Sequence, residues 1–107
     1  FWATWCGPCM AELPHLKEAY KNLHEKGFEI VGISSDVDKD LLLKSIKKEE
    51  IPWAQYQDGD QGGPKFGETF QIASIPTMWL VDKQGKLRDL NAREDLQKKV
   101  KDLLAEN

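Results

Sequence analysis

Cys6 and Cys9 are the only cysteines in a chain of 107 residues, and just two residues, Gly7 and Pro8, separate them. That spacing lets one helical turn bring the two sulfurs together. Such a pair can exchange dithiol for disulfide: a thiolate attacks a disulfide sulfur, and a second thiol resolves the mixed disulfide. One sulfur must then be deprotonated near neutral pH. A free Cys has a pKa of about 8.5, and a helix N-terminus lowers it by about one to several units. Unpaired backbone N–H groups and the positive end of the helix dipole stabilise the anion there.

The flanking residues supply that placement. Phe1-Trp2-Ala3-Thr4-Trp5 is an apolar run that reads as the end of a buried strand, with Phe1 and Trp2 in the core. A helix follows from about residue 8 to Lys26, its buried face marked by Leu13, Leu16, Tyr20 and Leu23. Pro14 should kink it, and Gly27 ends it. Cys6 then lies just ahead of the helix, exposed, as the attacking thiol. Cys9 lies inside the first turn, more buried, as the resolving one. Gly7 lets the backbone bend tightly, and Pro8 suits the first helical position, where a missing N–H has no partner to lose. Glu12, one turn beyond Cys9, is either a solvated acid well placed against the dipole or a proton acceptor for the pair. Trp5 is either core or a surface platform beside the sulfurs.

Rival readings of the pair are weak. A zinc site needs four ligands, and only His15 and His24 could complete one, at the wrong spacing on the following helix. Haem attachment needs a His after the second Cys, where Met10 stands. A purely structural disulfide closing so short a loop would remove little chain entropy. Neither a metal nor an organic cofactor is expected.

The length suits one domain, residues 1–107, expected to be monomeric. A net charge of −3 with both signs interspersed argues against a nucleic-acid surface. No apolar run reaches membrane-spanning length, and no signal peptide is visible. The chain begins inside what reads as a strand, without an initiator Met, which suggests the C-terminal part of a longer polypeptide.

Downstream, residues 28–34 form a near-continuous apolar run, as in a parallel strand covered on both faces. Asp36 or Asp38 caps a helix over 39–49 with Leu42, Leu43 and Ile46 buried; Lys44, Lys47 and Lys48 form its solvated side. An extended segment spans 53–57, where Trp53 and Tyr56 pack or form a binding surface. The turn-rich residues 58–63 lead to a small helix over 64–70, starting at Pro64 and with Phe66 and Phe70 inward. A strand over 77–82 and a return over 86–90 flank a turn at 82–85. Asn91 and Glu94 cap a last helix with Leu96, Val100, Leu103 and Leu104 buried. Alternating elements of this kind imply an α/β mixed sheet with helices on both faces. The expected strand order is 53–57, 28–34, 1–4, 77–82, 86–90, with 77–82 antiparallel to 1–4.

Residues 1–9 together with Pro14 and Ile75-Pro76-Thr77 resemble the thioredoxin-fold thiol–disulfide oxidoreductases, over the whole chain. The helix and strand at 39–57, and the run Met10-Ala11-Glu12-Leu13-Pro14, resemble the TlpA/ResA branch. The resemblance implies a thioredoxin-like domain lacking its N-terminal strand, with Cys6 and Cys9 catalytic and Trp5, Gly7, Pro8 and Glu12 in support. It implies that Ile75–Pro76 is cis, lies against the cysteine pair and offers the backbone of Ile75 to a substrate strand. It further implies protein disulfide substrates, an external dithiol electron donor, a reducing poise and a periplasmic or membrane-anchored location. Gly7 stands where branch members serving cytochrome c maturation often carry an acid, so that role is not carried over. Two alternatives remain: a thiol peroxidase, although the Pro-rich Thr-x-x-Cys context is missing, and a binding module with an idle redox pair.

Overall fold

Several elements end where a backbone group is claimed by a partner outside the element, and these claims shorten them. The computed structural model describes residues 1–59, 62–63 and 65–106. Helix α1 spans Gly7–Leu23 and runs on through Pro14 without ending; a 3₁₀ turn over His24–Lys26 and Gly27, at φ 110°, finish it. Strand β1 covers only Val31–Ser34, not 28–34. The Phe28 N–H bonds back to Leu23 O at the helix end, and the Ile30 N–H is taken by the Glu29 carboxylate. Helix α2, Lys39–Lys48, is capped by Asp38, whose side chain accepts from the Leu41 N–H. Of its expected stripe, Leu42 is buried and Ile46 partly so, but Leu43 is exposed. One residue along a helix is a rotation of about 100°, enough to carry Leu43 off the face that Leu42 and Ile46 share.

Strand β2, Ala54–Gln57, pairs in parallel with β1 from Val31↔Ala54 to Ser34↔Gln57. Helix α3 is one turn, Phe66–Thr69. The Asp58 carboxylate accepts from the N–H groups of Phe66 (2.6 Å) and Gly67 (2.8 Å), a cap supplied from outside the helix. The expected helix start at Pro64 and part of the 58–63 turn, Asp60 and Gln61, lie outside the described residues. Phe66 is partly buried, edge-on to Tyr56, whereas Phe70 is about half exposed, stacked on Phe66 and edge-on to Trp79. Trp53 is buried.

Strands β3, Leu80–Val81, and β4, Leu87–Asp89, form a short antiparallel pair with an irregularity at Leu80/Val81. Met78 O is drawn off to the Ala92 N–H, which shortens β3 from the expected 77–82. Helix α4, Leu96–Leu104, begins after Asp95, so Asn91 and Glu94 do not cap it. The carbonyl of Asn91 is instead held by the Lys99 ammonium. Its buried stripe is the expected one, with Val100 buried and Leu96, Leu103 and Leu104 partly so.

The two strand pairs are joined by residues 1–2. Trp2 N–H donates to Ile33 O and Trp2 O accepts from Ser35, while Phe1 and Thr77 exchange both backbone bonds in antiparallel fashion. The order β2, β1, 1–2, 77, β3, β4 is the expected one. The segment 1–4 nonetheless contributes a single bridge and not a strand, because residues 3–6 turn into α1. Ala3 is fully buried, while Phe1 and Trp2 are only partly so.

Three apolar clusters hold the layers. Ala19, Leu23, Phe28 and Val100 join α1 to α4; Leu13, Ile51 and Trp53 join α1 to the α2–β2 connection; Ala3, Cys6 and Cys9 form the third. No helix among the described residues is long and apolar enough to cross a membrane.

A charged clamp ties the hairpin to the chain end. Arg88 donates to both carboxylate oxygens of Glu106 and to Asp82, and Lys99 pairs with Asp89 at 3.0 Å. Backbone N–H groups, with Arg88 adding to them, hold Asp82 below the usual carboxylate range. The N–H of Asn91 and then Lys99 do the same for Asp89, and Arg88 does it for Glu106. Depressed folded-state values mean that this stabilisation is complete above the unfolded carboxylate pKa, about 4, and is lost as pH falls through the lower folded values. Arg88→Ala should therefore lower the urea midpoint at pH 7. That difference should shrink below about pH 4 and vanish once the carboxylates are protonated. An undiminished difference at pH 2 would show that Arg88 acts by packing alone.

Candidate active site

Cys6 is the N-cap of α1. Its backbone is extended (φ −90°, ψ 104°), its carbonyl accepts from Met10, and its Sγ accepts from the Cys9 N–H at 3.2 Å. The sulfur thus takes the place of the oxygen of a Ser or Asp cap, where an anion is favoured by both the free N–H groups and the helix dipole. Its Sγ is bonded to that of Cys9, with the two Cα atoms 5.2 Å apart. The expected contrast in burial is absent: Cys6 is 6% exposed and Cys9 4%. Both pack with Ala3, under Trp2 and Ile75. The capping position, and not exposure, is what distinguishes Cys6.

Trp5 is 68% exposed, which excludes the core. Gly7 is the first helical residue and has open space around an added Cβ, so the tight bend expected of it is not what the position requires. Pro8 falls at the second helical position, one later than expected.

The Ile75–Pro76 peptide is cis, and Ile75 packs against the disulfide cluster. The backbone N–H and C=O of Ile75 have no hydrogen-bond partner among the described residues. Two chain segments 66 positions or more apart thus meet beside the disulfide. Cys9, Glu12 and Pro76 also line an apolar cavity of about 680 Å³ that runs on past Trp79 to Val81 and Leu104. Glu12 accepts from Arg93 at 2.8 Å, an ion pair joining α1 to the turn before α4.

No group of three or more His, Cys, Asp or Glu side chains is placed to hold a metal among the described residues. His24 is stacked on Tyr20 and its Nδ1 lies 2.9 Å from Phe28 O.

Three contacts had no signal in the sequence: Arg93 on Glu12, Gln55 Oε1 on the Trp2 indole N–H, and Asp36 on Thr4. Asp36 stood in the sequence only as one of two candidate helix caps. It is 2% exposed and accepts from both the N–H and the hydroxyl of Thr4, two residues before Cys6. The partners in these pairs lie 81, 53 and 32 positions apart, beyond the reach of any local pattern.

Residues 1–87 match a family model described as thioredoxin-like. The chain is 33% identical over 87 residues to the thiol-disulfide oxidoreductase ResA of Bacillus cereus, covering 81% of this chain and 49% of that protein. It is 37% identical over 90 residues to the protein of the same name from Bacillus thuringiensis, with the same coverage. The chain thus spans about half the length of the curated relatives it matches. Among solved structures, it superposes on the thioredoxin domain of a thiol-disulfide oxidoreductase from Bacteroides vulgatus with a TM-score of 0.83 and 30% identity, covering 97% of this chain and 75% of the other.

Proposed function

Because the chain belongs to the thioredoxin-like family, we propose that it is a thiol–disulfide oxidoreductase acting on protein disulfides, in the reducing direction. The observation that carries this reading is the Cys6–Cys9 pair at the start of α1 with Ile75 packed against it.

The Cys6 thiolate attacks a substrate disulfide; that S–S bond breaks, and a Cys6–substrate disulfide forms as one substrate thiolate leaves. Cys9, deprotonated, then attacks Cys6 Sγ, releasing the second substrate thiolate and closing Cys6–Cys9. Glu12, one turn along and on the same cavity as Cys9, is the candidate acceptor for the Cys9 proton. Two electrons and two protons from an external dithiol donor restore the pair. The unpartnered backbone groups of Ile75 suit an extended substrate segment, since main-chain pairing accepts many sequences. Trp5 offers an apolar platform beside it. The proposed site of action is extracytoplasmic, as the resemblance to the TlpA/ResA branch implies.

Reduction of a protein disulfide by the recombinant chain with a dithiol donor, run beside a peroxide-consumption assay, tests the reading. Turnover of peroxide alone would replace it with the peroxidase alternative. The Gly7-Pro8 dipeptide is that of thioredoxin, whose potential is about −270 mV, against about −120 mV for the oxidant DsbA. Equilibration against glutathione should place the pair nearer the first value. A potential above about −180 mV, typical of protein disulfide isomerase, would reverse the assigned direction.

A further inference from the structure

We infer that Asp36 is a positioning residue for Cys6, acting through Thr4. The inference rests on the thiol–disulfide reading above, but its geometry stands alone. The Asp36 carboxylate accepts from the Thr4 N–H at 3.0 Å, from the Thr4 hydroxyl and from the Ser34 hydroxyl. Its own N–H donates to Ser34 Oγ at 3.0 Å. No lysine, arginine or histidine pairs with it among the described residues. A carboxylate buried without a cation is costly unless it is hydrogen-bonded, and here two hydroxyls and one backbone N–H donate to it.

The clamp joins something rigid to something catalytic. On one side, Ser34 ends β1, with its carbonyl accepting from the Asp58 N–H, and Asp58 in turn caps α3. On the other side, Thr4 lies inside the turn that the Cys6 N–H closes onto Ala3 O at 3.2 Å. Thr4 is gripped twice, so the turn cannot shift without uncovering the buried carboxylate. The turn delivers Cys6 to its capping position, with Sγ on the Cys9 N–H. A loosened turn lets the sulfur leave that N–H and the helix axis, and a thiolate there loses its stabilisation. A simple through-space action of the Asp36 charge predicts the opposite sign, because removing a nearby anion favours the thiolate. Direction therefore separates a clamp from a charge.

The test is alkylation of the fully reduced protein across pH 5–10, with Cys6 and Cys9 distinguished by peptide mass, and thermal melting in parallel. Glu12 and Arg93, the charged pair beside Cys9, are unchanged in every variant. Thr4→Val keeps the backbone bond and removes the hydroxyl; Thr4→Ser restores it. Asp36→Ala removes the clamp; Asp36→Asn removes the charge but keeps an oxygen for the Thr4 N–H. Asp36→Ala should slow Cys6 alkylation at pH 7 about tenfold, equivalent to one pKa unit. Thr4→Val should slow it less, and Thr4→Ser and Asp36→Asn should stay near wild type. A destabilised protein with an unmoved Cys6 profile in both Asp36→Ala and Thr4→Val would reduce Asp36 to a structural residue and overturn the inference. So would faster alkylation in Asp36→Asn with Thr4→Val unchanged. Should Asp36→Ala fail to fold, Thr4→Val against Thr4→Ser decides. Alkylation needs no substrate protein, so failure of the oxidoreductase reading would show separately, as absent turnover with a normal Cys6 profile.

Discussion

Cys6→Ser should abolish disulfide reduction, leaving only the uncatalysed background, whereas Cys9→Ser should stop the reaction halfway, with substrate held on Cys6. The asymmetry follows from the first turn of α1. Cys6 Sγ accepts the Cys9 N–H and sits at the positive end of seventeen helical residues; Cys9 is part of that turn and has no comparable anion site. Burial does not decide the matter, since the oxidised pair is buried evenly. A serine at position 6 lacks a nucleophile of thiolate strength, so the first bond is never exchanged. A serine at position 9 leaves the attack intact but cannot resolve the product. Mass spectrometry of Cys9→Ser incubated with an oxidised protein should find the adduct on Cys6. In reduced wild-type protein at pH 7, Cys6 should be alkylated before Cys9; the reverse order would exchange the two roles.

The chemistry was legible in the sequence because it is local. A pair spaced for one helical turn, a proline suited to the first turn and an amphipathic stripe behind them all lie within a few turns of chain. The contact of Ile75 with the cysteine pair was reached through resemblance, since no spacing rule links residue 9 to residue 75. Several expectations failed because a backbone group was claimed by a partner that the pattern did not indicate. Lys99 took the carbonyl of Asn91 and the expected cap of α4 was lost; Ala92 took the carbonyl of Met78 and β3 shortened. Leu43 and Phe70 failed for a different reason. Periodicity finds an apolar stripe but not its width, and α2 buries a narrow one. Asp36 was unreadable as anything beyond a cap, because its partner Thr4 is 32 positions away and carries no charge to suggest the match.

Leu23→Ala should be the costliest apolar truncation in the chain, lowering stability by about 2–5 kcal/mol. Leu23 is fully buried in the cluster with Ala19, Phe28 and Val100, and its carbonyl receives the Phe28 N–H where the chain leaves α1 for β1. The contact joins the cysteine-bearing helix to α4, so its loss leaves a cavity between two elements that are otherwise held there by Ala19 and Val100 and by the Asn22–Gln97 hydrogen bond. A domain of this size has a total stability of about 5–15 kcal/mol, so the variant should remain folded but melt markedly earlier. The same substitution should leave the chemistry of the folded molecules alone. Leu23 lies at the far end of α1 from Cys6, and the capping bond to the Cys9 N–H belongs to the first turn. Urea unfolding should therefore show a large fall in midpoint with an unchanged slope, while the pH profile of Cys6 alkylation, read well below the transition, superposes on wild type. A shifted profile would mean that the helix positions its sulfur through its whole length, and the turn held by Asp36 would then not be sufficient to set it.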